Sequence, residues 1–351
     1  MKNTLVKTDP IQNMSFWLAY LSRYYINNEW SHRKFKKAEE ALLESSKGYP
    51  DGPVTKVEKI PFKDITLKEF KREYLKKNVP IVLEGFAENW PALEKWNSDF
   101  FRDNYGEEVI PVRLNTSVIS EDTVVFEKYK LKDFIEDLNQ NKDVYASNIE
   151  DIANHNPELR DHLNIKQLSN YTHLRSNRKI ISTQFFISNS RARSGLHCAL
   201  TTNMFTQIIG KKNWTLVDPR YSKWMHILHR RDMLYAATTV DFDKTNDELD
   251  ELGYPLYRYV PKMEVTLNPG DGLLVPQWWW HAVSNEGFSI GVASRGSNYR
   301  NIFKGNPLFT WQAFFDKKVI DYTIAMQKNG WSTDRTSVES IFVEKAKTAQ
   351  P

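Results

Sequence analysis

Apolar residues recur at two different spacings along the chain, and the spacing changes near Ile180. Residues 14–30 and 307–328 place large apolar side chains three and four positions apart, which predicts an amphipathic helix in each segment. Residues 66–77 are expected to form another helix, with Thr66 as its cap. From Ile180 onward the apolar runs shorten and are separated by Gly and Pro, which predicts short antiparallel strands.

Short helices and strands fill the rest of the pattern. Helices are predicted at 100–105 and 131–138, and a helix followed by a linker at 34–52. The predicted strands are 79–83, 182–188, 204–209, 214–217, 263–267, 273–275 and 289–293, with turns at 210–212 and 268–271. We therefore expect a mainly β fold with flanking helices, built as an antiparallel barrel or sandwich.

Composition sets the size and class of the protein. With 351 residues, 40% hydrophobic and 26% charged, the chain can hold one large β-rich domain or two small ones. We expect a single domain at 55–300. Helical extensions would then occupy 1–54 and 301–351. The 11 Trp residues indicate a wide core or an aromatic-lined pocket.

Several partners and sites are disfavoured by the composition. The net charge is +4 without a prominent Lys/Arg run, so nucleic-acid binding is not indicated. We find neither a signal peptide nor an apolar run of membrane-spanning length, so we expect no membrane partner and a cytoplasmic location. The lone Cys198 excludes an intrachain disulfide and a Cys-based zinc site. The apolar stripe of residues 307–328 suits a docking helix or a homodimer contact.

Two histidines and a lysine carry the candidate chemistry. His197 lies at the start of a predicted strand and His281 at the end of another, so adjacent antiparallel strands would let them converge at a barrel mouth. The usual non-haem iron site has two His and one carboxylate, but His197-Cys198-Ala199 places a methyl group where His-x-Asp would be expected. Lys212 is expected deeper on an inner face, where it would pair with an acidic ligand because an unpaired buried ammonium is costly.

Several motifs resemble the JmjC-like (cupin) branch of the Fe(II)/2-oxoglutarate oxygenases, and within it the asparaginyl hydroxylase type that modifies hypoxia-inducible factors. The resemblance covers about residues 55–300 and implies a double-stranded β-helix, the JmjC/cupin jelly roll. The motifs that carry it lie at 80–86, 90–96, 197–219, 240–243, 269–271 and 276–281.

The resemblance implies a role for each matching residue. His197 and His281 would bind the metal, and Lys212 would hold the distal carboxylate of 2-oxoglutarate. Ser194 stands where the family has a hydroxyl that reaches the same carboxylate. Asn203 stands at a contact with the co-substrate or a metal-bound water.

A further co-substrate hydroxyl is expected from Tyr145.

Two positions depart from the family pattern. Ala199 replaces the metal carboxylate, and Ala293 appears where the asparaginyl hydroxylase has an Asn near the co-substrate.

Four residues near the motifs are weak candidates to replace the missing carboxylate. Strand alternation turns Cys198 to the face opposite His197, away from the metal. Asp271 belongs to a turn and is interpreted as structural. Asp241 and Asp243 lie in a loop and remain remote candidates for the missing metal ligand.

A histidine pair offers a different metal centre. His226 and His229 are three residues apart and would share one face of a helix. A surface or capping role is favoured for both. If they reached the site, a histidine-rich centre for copper or zinc would follow.

The small residue at position 199 resembles the motif of the iron/2-oxoglutarate halogenases, where His-x-Ala or His-x-Gly leaves room for chloride or bromide. We therefore expect a metal- and 2-oxoglutarate-dependent oxidoreductase acting on a C–H bond, with Fe(II) and halide, and halogenation as the favoured outcome. The alternatives are oxidation or hydroxylation with a substitute ligand or with copper, and a non-catalytic binding protein. A peptide or protein side chain and a small metabolite both remain open as substrates.

Overall fold

The computed structural model describes residues 5–116, 125–175, 182–228, 235–316 and 320. Its strands are β1 Val54–Lys56, β2 Lys59–Pro61, β3 Ile81–Glu84, β4 Val109–Leu114, β5 Val125–Lys130, β6 Val144–Ile149, β7 Ser182–Ser188, β8 Ser194–Ala199, β9 Thr202–Val217, β10 Tyr235–Ala237, β11 Lys262–Leu267, β12 Gly272–Val275 and β13 Trp280–Gly296. Its helices are α1 Pro10–Tyr25, α2 Glu29–Ser46, α3 Leu67–Phe70, α4 Pro91–Lys95, α5 Ser98–Tyr105, α6 Leu131–Asn139, α7 Asp151–His155, α8 Glu158–Asp161, α9 Ile165–Thr172, α10 Asn246–Glu251, α11 Tyr299–Gly305 and α12 Pro307–Phe315.

Two long strands, β9 and β13, organise the sheet. They pair antiparallel with each other along nearly their whole length. The first half of β9 also pairs with β12 and its second half with β11. In the same way β13 pairs first with β8 and then with β7. Each long strand therefore belongs to two facing layers, and the predicted mainly β jelly roll with flanking helices is confirmed.

The predicted turn at 210–212 is wrong, because β9 continues through it. Gly210 has a φ of +68°, and the pairing with β13 shifts register near this point. A Cβ at Gly210 would lie 2.1 Å from the carbonyl oxygen of Phe288. Gly210 therefore marks an irregularity that bends one strand from the first layer to the second.

The first predicted helix ends earlier than expected. The chain leaves α1 after Tyr25, and Asn27 adopts a left-handed conformation with a φ of +50°. Asn28 then forms a capping box with Ser31 and starts α2, so Trp30 belongs to the second helix. Hydrophobic spacing continued across the break because both helices bury apolar residues.

Other predicted helices agree with the structure. Thr66 caps α3 through a capping box with Glu69, and residues 71–75 continue it as a π-helical turn. Of the predicted helix at 307–328, α12 accounts for 307–315. Residues 317–319 and 321–328 lie outside the described residues.

The helical ends of the described chain pack on the outside of the jelly roll. Phe16, Tyr20 and Phe35 are buried in one cluster with Trp280 and Phe309. The first helix therefore packs on the jelly roll. Part of α1 and α12 remains exposed and apolar, including Ile11, Met14, Leu18, Trp311, Phe314 and Phe315. The homodimer contact stays a prediction.

In the part of the chain that the structure describes, every helix is too short or too polar to cross a lipid bilayer.

Candidate functional site

Two histidine side chains meet inside the jelly roll, as predicted. His197 on β8 and His281 at the start of β13 are register partners, and their ring centroids lie 4.3 Å apart. Nδ1 of His197 is 2.8 Å from the carbonyl oxygen of Gly195, and Nδ1 of His281 is 2.9 Å from that of Trp279. Donation of Nδ1–H to a carbonyl selects the tautomer in which Nε2 carries the lone pair, as metal-binding histidines require.

His281 is suited to act as a neutral ligand. Burial, followed by the nearby His197 ring, holds the pKa of His281 well below its usual range. A metal must displace any proton on its ligand, so a neutral imidazole removes that cost. The ring of Trp214 lies beside it, with centroids 5.8 Å apart. The interior therefore offers a metal two imidazoles, of which at least His281 is held neutral.

The third position of the usual iron site holds no donor. Ala199 lies opposite Tyr235 of β10. Cys198 is buried on the other face of β8, in the cluster that contains Leu196, so its predicted orientation is confirmed. Burial raises the pKa of the Cys198 thiol well above its usual value. No group of three His, Cys, Asp or Glu that could hold a metal occurs in the described ranges.

The nearby carboxylates are engaged elsewhere. Asp271 accepts the backbone N–H of Asn268 at 2.9 Å and stabilises the turn before β12, which supports its structural interpretation. Asp241 forms an ion pair with Arg193, and Asp243 lies 3.1 Å from the same guanidinium.

His226 lies outside the barrel. It has a φ of +47° and follows the 3₁₀ helix 219–224, so the expected helix face does not exist at His226. Its Nε2 accepts the backbone N–H of Leu256, and its ring packs on Tyr254. Burial lowers the pKa of His226 to about 4. His226 is half-buried and accepts the N–H of Leu256 at the start of the 3₁₀ helix 257–259, which agrees with the favoured surface or capping role rather than with metal binding. His229 lies outside the described residues.

Lys212 is buried at the other end of the interior. Its Nζ donates to Oδ1 of Asn285 and lies 5.9 Å and 5.7 Å from the ring centroids of Tyr145 and Phe205. Among the described residues it has no carboxylate partner. Burial lowers the pKa of Lys212 to about 7, because the surroundings of the ammonium disfavour its charged form.

Strand β13 connects the two ends. Its alternate residues His281, Val283 and Asn285 face the same side. They pair with His197, Ser194 and Lys212, in that order. Ser194 thus lies between the histidine pair and the lysine. Four residues along a strand correspond to about 13 Å, which is the separation of the two ends along β13.

The remaining predicted residues also face this interior. Tyr145 is buried beside Lys212. Asn203 is buried, and its Oδ1 has no hydrogen-bond partner among the described residues. Ala293 lies opposite Phe205 in the same inner cluster. The structure therefore places the predicted site residues on the inner side of the jelly roll, while their roles stay predictions.

Sequence reasoning missed a polar chain on the cavity wall. Nε of Arg295 donates to Oε1 of Gln184 at 3.2 Å, and Nε2 of Gln184 donates to Oε1 of Glu150 at 2.8 Å. Arg295 follows Ala293 at strand spacing in an otherwise apolar segment. That charged residue on the inner face was the available signal.

A family model described as a cupin-like domain matches residues 67–304, which is most of the chain. The chain belongs to the cupin-like family. Jumonji C domain-containing protein 5 of Drosophila melanogaster is 25% identical over 235 residues, 65% of this chain and 57% of the fly protein. Lysine-specific demethylase JMJ30 of Arabidopsis thaliana is 26% identical over 246 residues, 67% of this chain and 53% of its own length. tRNA wybutosine-synthesizing protein 5 of Gallus gallus is 22% identical over 248 residues, 65% of this chain and 73% of that protein.

These cupin-like relatives point to different substrates. One name refers to lysine demethylation and another to a modified tRNA. The chain spans little more than half the length of the fly and Arabidopsis proteins. Their whole activities are therefore not transferred to this chain, and the likeness to the asparaginyl hydroxylase stays a prediction from its motifs.

Proposed function

We propose that this interior is the active site of a metal- and 2-oxoglutarate-dependent oxidoreductase that halogenates a C–H bond. One observation carries the proposal. A well-oriented histidine pair lies beside the methyl group of Ala199, while the cationic end of the same cavity has no acidic partner among the described residues. An exogenous anion at position 199 and a dicarboxylate at Lys212 would complete both ends.

The Lys212 end fits 2-oxoglutarate. The ammonium is buried without a carboxylate, and such a charge is costly until an anion arrives. Asn203 Oδ1 and Trp214 Nε1 are also buried and lack hydrogen-bond partners among the described residues. These atoms need a water or a ligand group in the cavity. Lys212 would hold the distal carboxylate, with Tyr145 and Ser194 beside it.

The histidine end fits a metal with an incomplete protein ligand set. His197 and His281 supply two of the three ligands of the usual iron site, and the residues present do not supply the carboxylate. Chloride or bromide would restore the missing negative charge, and the methyl group of Ala199 leaves volume for it. The bound metal and 2-oxoglutarate would supply the oxidation of the C–H bond by O₂.

The overall reaction balances without another reductant. A substrate C–H, a halide ion, a proton, O₂ and 2-oxoglutarate would give C–halogen, succinate, CO₂ and water. Hydrogen leaves the carbon and ends in water, and halide takes its place. In this scheme the chain itself orients the metal through two imidazoles, holds 2-oxoglutarate through Lys212, and leaves position 199 open.

Halide binding can be tested before the substrate is known. The protein loaded with Co(II) and 2-oxoglutarate is titrated with bromide, and its visible absorption is recorded with nitrate as the ionic-strength control. We expect a saturable change of the absorption with bromide, and Ala199→Asp should abolish it because the carboxylate takes the place of the halide. Ala199→Asn has about the size of Ala199→Asp without its charge, so it does not supply an anionic ligand and serves as the control for volume. Identical spectra in bromide and nitrate would contradict the halide site.

Product analysis then distinguishes the outcomes. With a turned-over substrate, mass spectrometry should show one hydrogen replaced by chlorine or bromine, according to the salt present. A hydroxylated product formed at the same rate without halide would instead assign hydroxylation with a substitute ligand.

A further inference from the structure

Arg113 is a second cation that faces this interior, half-buried and with its Nε fully enclosed. It lies on β4 opposite Tyr145 of β6, and cross-strand partners share a face of the sheet. Ile110 and Val112, its neighbours on β4, are buried in the core on the other face. Tyr145 lies inside the cavity, so Arg113 is directed to the cavity as well.

Nothing among the described residues neutralises this guanidinium. Arg113 has no ion pair there, and its Nε is buried without a hydrogen-bond acceptor. The phenols of Tyr145 and Tyr235 and, more weakly, the carboxylate of Asp143 act on its charge. Oδ1 of Asp143 accepts a hydrogen bond from Thr116. Burial lowers the pKa of Arg113, yet arginine remains charged, so the site bears an uncompensated cation.

Arg113 lies between the two ends of the site. Its cross-strand partner Tyr145 is beside Lys212, with 5.9 Å from the Lys212 Nζ to the ring centroid. Tyr235, which also interacts with its charge, pairs with Ala199 and lies 6.4 Å from His197 between ring centroids. Arg113 is therefore a cation distinct from Lys212, which we assign to 2-oxoglutarate, and it faces the same interior.

The charges of the cavity favour another anion. Among the described side chains that line this interior, Lys212, Arg113 and Arg295 are cations, and Glu150 is a carboxylate that accepts a hydrogen bond from Gln184. A divalent metal adds two positive charges, and neutral imidazoles add none. 2-Oxoglutarate and one halide carry three negative charges together and do not cancel this positive excess. One further negative charge would cancel it.

We propose that Arg113 binds a carboxylate group of the substrate, which makes the substrate a carboxylic acid. Calling the bound molecule a substrate rests on the proposed function, whereas the carboxylate site itself rests on the geometry of Arg113. A planar guanidinium with buried N–H groups suits the two oxygens of a carboxylate.

Matched acids and amides test the inference. The protein loaded with Mn(II), 2-oxoglutarate and chloride is screened by thermal shift and calorimetry against the common amino acids, C3–C6 dicarboxylates, and short peptides containing Asp or Glu. Each is paired with its carboxamide. We expect ligands among the acids only, and the free acids and the peptides separate a metabolite from a protein side chain. Absence of binding by every acid at 10 mM (about the weakest affinity of interest) would overturn the proposal.

Variants locate the binding group. Arg113→Gln should weaken acid binding by about ten-fold to a hundred-fold, the value of one charge-assisted contact. Arg113→Lys should retain part of the affinity. Arg102→Gln, on an exposed surface ion pair, serves as the matched control and should bind like the unmodified protein. Unchanged acid binding in Arg113→Gln would refute the assignment.

Two readouts separate this inference from the proposed function. Thermal melting of the ligand-free variant checks folding, and Arg113→Gln should melt no lower because it removes an unpaired buried charge. 2-Oxoglutarate affinity should be unchanged by Arg113→Gln and should fall by about 10- to 100-fold in Lys212→Met. Acid binding without 2-oxoglutarate binding would refute the proposed function alone, and the reverse result would refute the role of Arg113 alone.

Discussion

The two ends of the cavity contrast in what the protein supplies. At one end Lys212 is buried, loses much of its basicity and has no acidic partner in the described residues. At the other end His197 and His281 are oriented for a metal, but Ala199 supplies no ligand atom. One end therefore has a charge without a counter-ion, and the other has a ligand set without its anion.

This contrast indicates where exogenous ligands belong. A buried lysine is a cost to folding with little structural return, so its presence favours an anionic ligand. The contacts of both Nδ1 atoms with backbone carbonyls likewise select the tautomer in which Nε2 can accept a metal. A cavity that had lost its function would not need either feature. The missing carboxylate is then a single change of ligand within an organised site.

The largest expected effect is at the histidine end. His281→Ala leaves one imidazole, so we expect metal affinity to fall by more than about 100-fold. Calorimetric titration with Fe(II) or Mn(II) under argon measures it. His32→Ala, at an exposed histidine that contacts Asn27, is the matched control. Full metal content in His281→Ala would show that the metal binds elsewhere, and the contrast between a metal end and a lysine end would then not hold.

At the other end, Lys212→Met should abolish the charge while keeping most of the volume. We expect 2-oxoglutarate affinity to fall by about 10- to 100-fold, the value of a charge-assisted hydrogen bond. The ligand-free variant should be more stable by about 1–3 kcal/mol, because a desolvated charge is removed. The lost bond to Asn285 offsets part of this gain. Lower stability together with normal binding would contradict the assignment.

The same lysine predicts a pH dependence. Its pKa is about 7 in the folded chain, against 10.5 when unfolded, so the unfolded chain binds more protons between these values. The free energy of unfolding should therefore rise with pH from about 7 to 10.5 relative to Lys212→Met. Above pH 7, 2-oxoglutarate affinity should fall by about tenfold per pH unit, because binding requires the protonated amine. Parallel pH profiles in both proteins would contradict the lowered pKa.

Ala199→Asp should complete the ligand set at the histidine end by returning a carboxylate to the metal. Metal affinity should rise by about tenfold or more through charge attraction. Halide should cease to affect metal spectra and product mass. Ala199→Asn, with equal size and no charge, separates the effect of charge from that of volume. Continued halogenation by Ala199→Asp would refute the assignment of halide to this position.

The smallest effect is expected at Cys198. Because its side chain packs outside the cavity with Leu196, Cys198→Ala should leave metal affinity unchanged. It should cost about 1 kcal/mol of stability through the lost buried volume. Denaturant unfolding and metal titration measure the two quantities. A weakened metal site would show that the strand faces had been assigned wrongly.

Much of the fold and the position of the histidine pair could be predicted from residue patterns. The helix capped by Thr66 and strand β7 at 182–188 follow from local spacing alone. The turn predicted at Gly210 was wrong for a physical reason. Hydrophobic spacing shows which side chains are buried, and a glycine is compatible both with a turn and with a bend inside one strand. The break at Asn27 was hidden because the apolar stripe continues from α1 into α2.

Local pattern was sufficient for a mainly β barrel or sandwich, for the alternation that separates His197 and Ala199 from Cys198, and for the absence of a carboxylate at position 199. The jelly-roll class came from the family resemblance of the motifs. The placement of Arg113 and Arg295 on the cavity wall depended on pairing between strands far apart in the chain. The unpaired state of Lys212 depended in the same way on which side chains surround it. Spacing along one strand defines its two faces, but only the assembled sheet establishes which face encloses a cavity and which charges meet there.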